Sequence, residues 1–205
     1  MSKIVLCVDN GNSHFEGIKR FLASHDCKVY TWSEEKQDIT VLVEEIAQKE
    51  GKIDILLLGV DEQMPGDGMI GDGHDCEQLL KTVSGLINRT QEVIEAALPL
   101  LRMGDLKRIG MITGKESSIS NCKADSNYGQ HMAWAGLNMA GKLYFNLLRP
   151  EGFTFRWYCA EENAGGMSAG EYLLSNLCYD AKEPYIHSDE NRFVMRDAYL
   201  REVAW

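Results

Sequence analysis

Five short runs rich in apolar and β-branched or aromatic residues recur along the chain: KIVLCV (3–8), CKVYTW (27–32), IDILLLGV (53–60), LKRIGMIT (106–113) and FTFRWYC (153–159). KIVLCV and IDILLLGV are apolar at nearly every position, which fits strands buried on both faces. Helix-periodic segments separate the runs. Strands that alternate with helices are joined by crossovers, so they lie parallel in one sheet with helices on both faces. The expectation is α/β: a doubly wound parallel sheet in three α/β/α layers, as a single domain over 1–205.

The intervening segments supply the helices. NGNSHFEGIKRFLASH turns helix-periodic from about Gly17, with Ile18, Phe21 and Leu22 on one side. In KQDITVLVEEIAQKEG, Thr40 is the expected N-cap. From Asp75, Leu79, Val83, Leu86, Val93, Ile94 and Ala97 recur at helical spacing to about position 103. Asp125 and Ser126 open a further helix that ends at Arg149-Pro150. Its small residues Gly129, Ala133, Ala135, Gly136, Ala140 and Gly141 let another backbone come close. MSAGEYLLSNLCYD (167–180) reads as a late helix.

Composition excludes some functions. A formal net charge of -10 leaves no basic face to displace counterions, which argues against nucleic acid. No apolar run approaches the roughly 20 residues of a membrane span, and IVLCV follows Met-Ser-Lys as a strand rather than a cleavable signal. A cytoplasmic protein is expected. Its 6 cysteines are scattered without a Cys-x-x-Cys pair, so they read as reduced thiols. The loop 61–76 contains Asp67, Asp72, His74, Asp75 and Cys76, which are metal-ligand types, but their spacing matches no calcium or zinc pattern. The reading there is a solvated loop and no metal.

The run YGQHMAWAGLNMAGKLYFNLLRPEGFTF, with GKIDILL, AALPLL and the NRFVMRDAYLREVAW ending, resembles the short-chain dehydrogenases/reductases. Their fold is Rossmann-like, in agreement with the strand pattern. Their Thr-Gly-x-x-x-Gly-x-Gly turn falls on Asn10, Gly11, Phe15 and Gly17. The resemblance makes Gly11, Asn12, Ser13 and Gly17 the candidate cofactor contacts, with Phe15 an obstruction where the middle glycine lets a pyrophosphate approach. A Gly17 without that role packs a helix on a strand. Glu34 follows the second strand, where an acidic residue would hold a ribose; a solvated turn glutamate is the preferred reading.

Other positions depart from the family. Its Tyr-x-x-x-Lys pattern places the catalytic tyrosine at Tyr128 and leaves Met132 for the lysine. Gly114 replaces the substrate-orienting serine, with Thr113 beside it and Ser117 and Ser118 just beyond. Leu58-Gly59-Val60-Asp61 stands for Asn-Asn-Ala-Gly, and Ala160-Glu161 for Pro-Gly. An unassisted phenol ionises near pH 10, so loss of the lysine weakens Tyr128 as a base. Lys115 and Lys123 precede it in the chain; Lys142 lies too far along.

The reading is therefore a chain with this fold that has lost ordinary NAD(P)-dependent redox activity and binds a small molecule or partner, with no cofactor. The alternative is an NAD(P)H-dependent oxidoreductase acting on a small carbonyl or alcohol, its site rebuilt around Tyr128 and Thr113. A weaker one is a non-redox lyase or isomerase with Tyr128 as acid. In the family two helices pair across a two-fold axis. The resemblance thus implies a homodimer or homotetramer through 75–103 and 126–148, or pairing with an intact dehydrogenase subunit.

Overall fold

The computed structural model describes residues 2–9, 15–34, 37–60, 75–159, 189–197 and 201–205. The described strands form one sheet: β1 (Lys3–Val8), β2 (Cys27–Trp32), β3 (Ile55–Gly59), β4 (Arg108–Thr113), β5 (Thr154–Cys159), β6 (Met195–Arg196) and β7 (Glu202–Val203). Their order is β2-β1-β3-β4-β5-β6-β7, parallel through β6, with β7 antiparallel. The helices are α1 (Phe15–Ala23), α2 (Ile39–Lys49), α3 (Cys76–Arg102) and α4 (Tyr128–Leu148). The three-layer doubly wound α/β fold is as expected.

Alternation along β1 divides the core. Ile4, Leu6 and Val8 face one cluster with α2, α3 and α4, whereas Val5 and Cys7 face another with Phe15, Ile18 and Leu22 of α1. The strand order reverses direction between β1 and β3. In a doubly wound sheet that switch point opens a crevice at the carboxyl ends of the strands. With only Ser33 to Asp38 between β2 and α2, β2 is the outermost strand on its side.

Two helix starts differ from expectation. Asp38, not Thr40, caps α2: its carboxylate accepts from the Thr40 amide and hydroxyl, both at 2.8 Å. Asp125 and Ser126 lie ahead of α4, which follows Asn127 in a left-handed conformation (φ 54°). Asp75 caps α3 by accepting from the Glu77 and Gln78 amides, a structural task for one member of the acidic loop. The remainder of that loop, and the late helix 167–180, lie outside the described residues.

The small residues of α4 serve its own layers. A side chain at Gly141 would meet the Trp157 ring of β5, and one at Gly136 would meet Ile87 of α3. Much of the apolar length of α3 is likewise spent inside, on Leu86, Val93, Ile94, Ala97 and Leu101, while Leu80 stands exposed. Instead Met132, Met139, Leu143 and Leu147 stand on the outer side of α4, each more than half exposed.

Candidate functional site

The carboxyl end of the sheet gathers the candidate residues. Phe15, in the first turn of α1, is wholly buried beside Val5, Cys7, Ile55 and Leu57. Its ring lies against Gly59, where a Cβ would come within 2.5 Å of it. The ring has therefore turned into the α1 side of the core instead of standing in the crevice. Where the family pattern has glycine on α1 and asparagine after the strand, this chain has Phe15 and Gly59. The bulk has changed sides. Gly17, in contrast, is exposed with nothing near its missing Cβ, so it packs against no strand. Gly11, Asn12 and Ser13 lie outside the described residues.

At the end of β4, Thr113 is buried, and its hydroxyl has no hydrogen-bond partner among the described residues. Such a group ordinarily finds one, so it marks a place where a ligand oxygen or water is wanted. Gly114 follows, with the Trp134 ring of α4 3.7 Å from where its Cβ would stand. Ser117 and Ser118 are engaged elsewhere: Ser117 hydroxyl with Met195 sulfur at 3.9 Å, Ser118 hydroxyl with the Ala204 carbonyl. Asn138, buried in α4, fixes this turn by donating to the Ser117 carbonyl at 3.0 Å and accepting from Trp157 Nε1 at 3.1 Å.

Tyr128 is partly exposed at the first position of α4, one turn before Met132, which is 53% exposed. Lys115 lines a separate cleft with Asn121, Asp197 and Arg201, and Lys142 lies 4.7 Å over the Phe145 ring. At the other end, Glu34 pairs with Arg89 of α3 at 2.5 Å beside a cleft of about 370 Å³ that includes Trp32 and Gln37. It is neither a free turn residue nor a free ribose acceptor.

The reversal between β4 and α4 also brings Glu116, Cys122 and His131 together, their ligand-type atoms all within 4.8 Å of one another. Burial raises the Glu116 carboxyl, but the Cys122 thiol, the Lys123 amide and the nearby His131 ring outweigh it and leave it below its usual range. Burial, then the carboxylate beside it, holds the Cys122 thiol above its ordinary value against the Ala124 backbone. Sequence reading missed this trio and Asn138. The trio is spaced too widely to form a motif, and Asn138 is one polar residue on an otherwise apolar helix.

No family model matches the chain. A protein named C-signal, from Myxococcus xanthus, is 39% identical over 62 residues, which span 30% of this chain and 37% of that protein. The structural likeness is broader. A protein assigned as the carbonyl reductase Sniffer of Caenorhabditis elegans superposes with a TM-score of 0.77 at 12% identity, covering 100% of both chains. A Burkholderia multivorans protein described as a short-chain dehydrogenase/reductase with bound NADP gives 0.68 at 14% identity, covering 100% of both. The NADPH-bound carbonyl reductase from chicken fatty liver gives 0.66 at 12%, covering 98% of this chain and 87% of that one. This chain has the short-chain dehydrogenase/reductase fold.

Two of these solved structures hold a nicotinamide dinucleotide, NADP or NADPH. Three observations bear on whether these residues fit one. Phe15 is buried in the core, the Thr113 hydroxyl has no hydrogen-bond partner among the described residues, and Tyr128 is partly exposed at the start of α4. These features fit the group.

Proposed function

We propose that the chain is an NAD(P)-dependent oxidoreductase of the short-chain type, acting on a small carbonyl or alcohol. The observation that supports this reading is the burial of Phe15 against Gly59. The ring is one of five departures from the family pattern that argue against a dinucleotide, and its burial among α1 core residues weakens that one. The cofactor, when bound, supplies or accepts hydride. Thr113 holds the substrate oxygen through its hydroxyl, in the role that Gly114 cannot fill. Tyr128 hands that oxygen a proton as carbonyl becomes alcohol. Asn138 acts through the Ser117 carbonyl to keep the turn after β4 in register with α4.

A second reading keeps the fold but not the reaction: a subunit that binds a small molecule or a partner. The exposed Met132 in the lysine's place favours it. Titration of the purified protein with NADH and NADPH separates the two. Micromolar binding that Phe15 does not prevent supports the oxidoreductase, and a carbonyl screen should then find turnover that Met132→Lys increases. No binding at millimolar cofactor sinks it in favour of the second reading.

The outer side of α4 bears on assembly. Met139, Leu143 and Leu147 recur at four-residue intervals on an exposed face, and Met139 also lines an apolar cleft of about 310 Å³ with Ile119, Phe193 and Trp205. The apolar face fits a second copy of the chain packed along α4.

A further inference from the structure

We propose that Glu116, Cys122 and His131 form a zinc-type metal site in the reversal between β4 and α4. The proposal is independent of the oxidoreductase reading. Carboxylate, thiolate and imidazole are the three side-chain donor types that zinc accepts, and three protein ligands leave a fourth position open to water or another ligand. The donor atoms lie within 4.8 Å of one another, with His131 Nε2 3.9 Å from the Glu116 carboxylate. A tetrahedral ion holds its ligands roughly 3.5 Å apart, given bonds of about 2.0–2.3 Å. The gap between the two spacings is about 1 Å.

The second shell is already in place. His131 Nδ1 lies 2.8 Å from the Asn127 carbonyl, which can only accept, so Nδ1 carries the proton. Nε2 is then the atom facing Glu116 and Cys122. Metal-bound histidines are held in this way, with the other ring nitrogen donating to a carbonyl or carboxylate. The left-handed Asn127, uncommon for any residue but glycine, sits directly before the helix and presents that carbonyl. The ring is further fixed edge-on against Trp134 at 5.6 Å. Glu116 is anchored in turn by the Lys123 amide at 3.3 Å. The ligands come from three segments, and two of them, His131 and Glu116, are each held by a neighbour.

Cobalt(II) is the probe, because a cobalt–thiolate bond gives a near-ultraviolet charge-transfer band. Titration of the reduced full chain should give that band with one cobalt per chain, and Zn²⁺ should displace it. Cys122→Ser should abolish the band, Glu116→Gln and His131→Gln should weaken binding at least about tenfold, and Cys76→Ser should change nothing. Absence of the band at millimolar cobalt overturns the proposal, as does a band that survives Cys122→Ser. Should Cys122→Ser fail to fold, alkylation of native protein with peptide mapping reads the same contact. Protection of Cys122 by equimolar Zn²⁺ supports the site, and equal labelling with and without Zn²⁺ overturns it.

Discussion

Phe15 and Gly59 show how a residue can be misjudged when it is read alone. Taken in its own motif, Phe15 is a ring where a glycine belongs; taken with Gly59, it is half of an exchange of volume between α1 and the end of β3. No local pattern links the two positions, so the sequence exposed the anomaly and not its resolution. The pair makes a double-mutant cycle. Gly59→Asn alone should overpack the site and cost about 1–3 kcal/mol, and Phe15→Gly alone should leave a cavity costing about 3–5 kcal/mol. Urea denaturation of both singles and the double variant should reveal a coupling of roughly 0.5–3 kcal/mol, because the substitutions share one space. Strictly additive losses would mean that the ring and the glycine do not depend on each other. Gly17 is the opposite case, a motif glycine with nothing against it. Gly17→Ala should raise stability by up to about 1 kcal/mol through helix propensity, and a loss measured in the same way would place an unseen neighbour there.

Elements were legible where periodicity speaks and were not where polar side chains do the fixing. Strand and helix order follows from the alternation of apolar runs, but one carboxylate in the GKIDIL phrase adds ties at the start of β3 that no periodicity shows. Asp54 is buried and accepts from the Ile4 and Asp105 amides, both at 2.8 Å, and from Lys52 at 3.1 Å. Farther along the sheet, Glu190 is the shared carboxylate of two buried arginines, Arg156 at 2.6 Å and Arg108 at 3.2 Å. Glu190→Gln takes the shared carboxylate from two buried guanidiniums that keep their other hydrogen bonds, so it should destabilise the fold by at most about 3–5 kcal/mol, read as a lower denaturation midpoint. A smaller clamp joins the outermost strand to α2, with Lys28 and the Tyr30 hydroxyl both on Glu50. Lys28 and Tyr30 hold the Glu50 carboxyl below its usual range, so its contribution is present above the unfolded value of about 4.3 and fades as pH falls. Glu50 raises Lys28, so that contribution holds below about pH 10.4 and is lost above it. Melting temperatures of wild type and Glu50→Gln should therefore differ between about pH 5 and 10 and converge in stronger acid or base. A difference that persists into acid would show that the side-chain charge is not its source.

In the whole molecule, the outer side of α4 remains apolar once the layers are filled. The small residues of α4 look like an invitation to a partner helix when read in one dimension, yet they meet Trp157 and Ile87 of the same chain. The residues left over are Met132, Met139, Leu143 and Leu147, and a helix within a monomer would ordinarily carry polar side chains along such a face. A stable pairing takes about 800 Å² from each partner, and the stripe adjoins an apolar cleft lined by Met139, Ile119, Phe193 and Trp205. Multi-angle light scattering of the wild type should accordingly give a dimer or tetramer. Leu143→Glu with Leu147→Glu should bring the mass down at equal concentration and leave the far-ultraviolet dichroism unchanged. Val41, 54% exposed on α2, is the control, since Val41→Glu changes an isolated apolar residue away from the stripe and should leave the assembly intact. A wild type that is monomeric at high concentration would refute the pairing and leave the α4 face to a different protein.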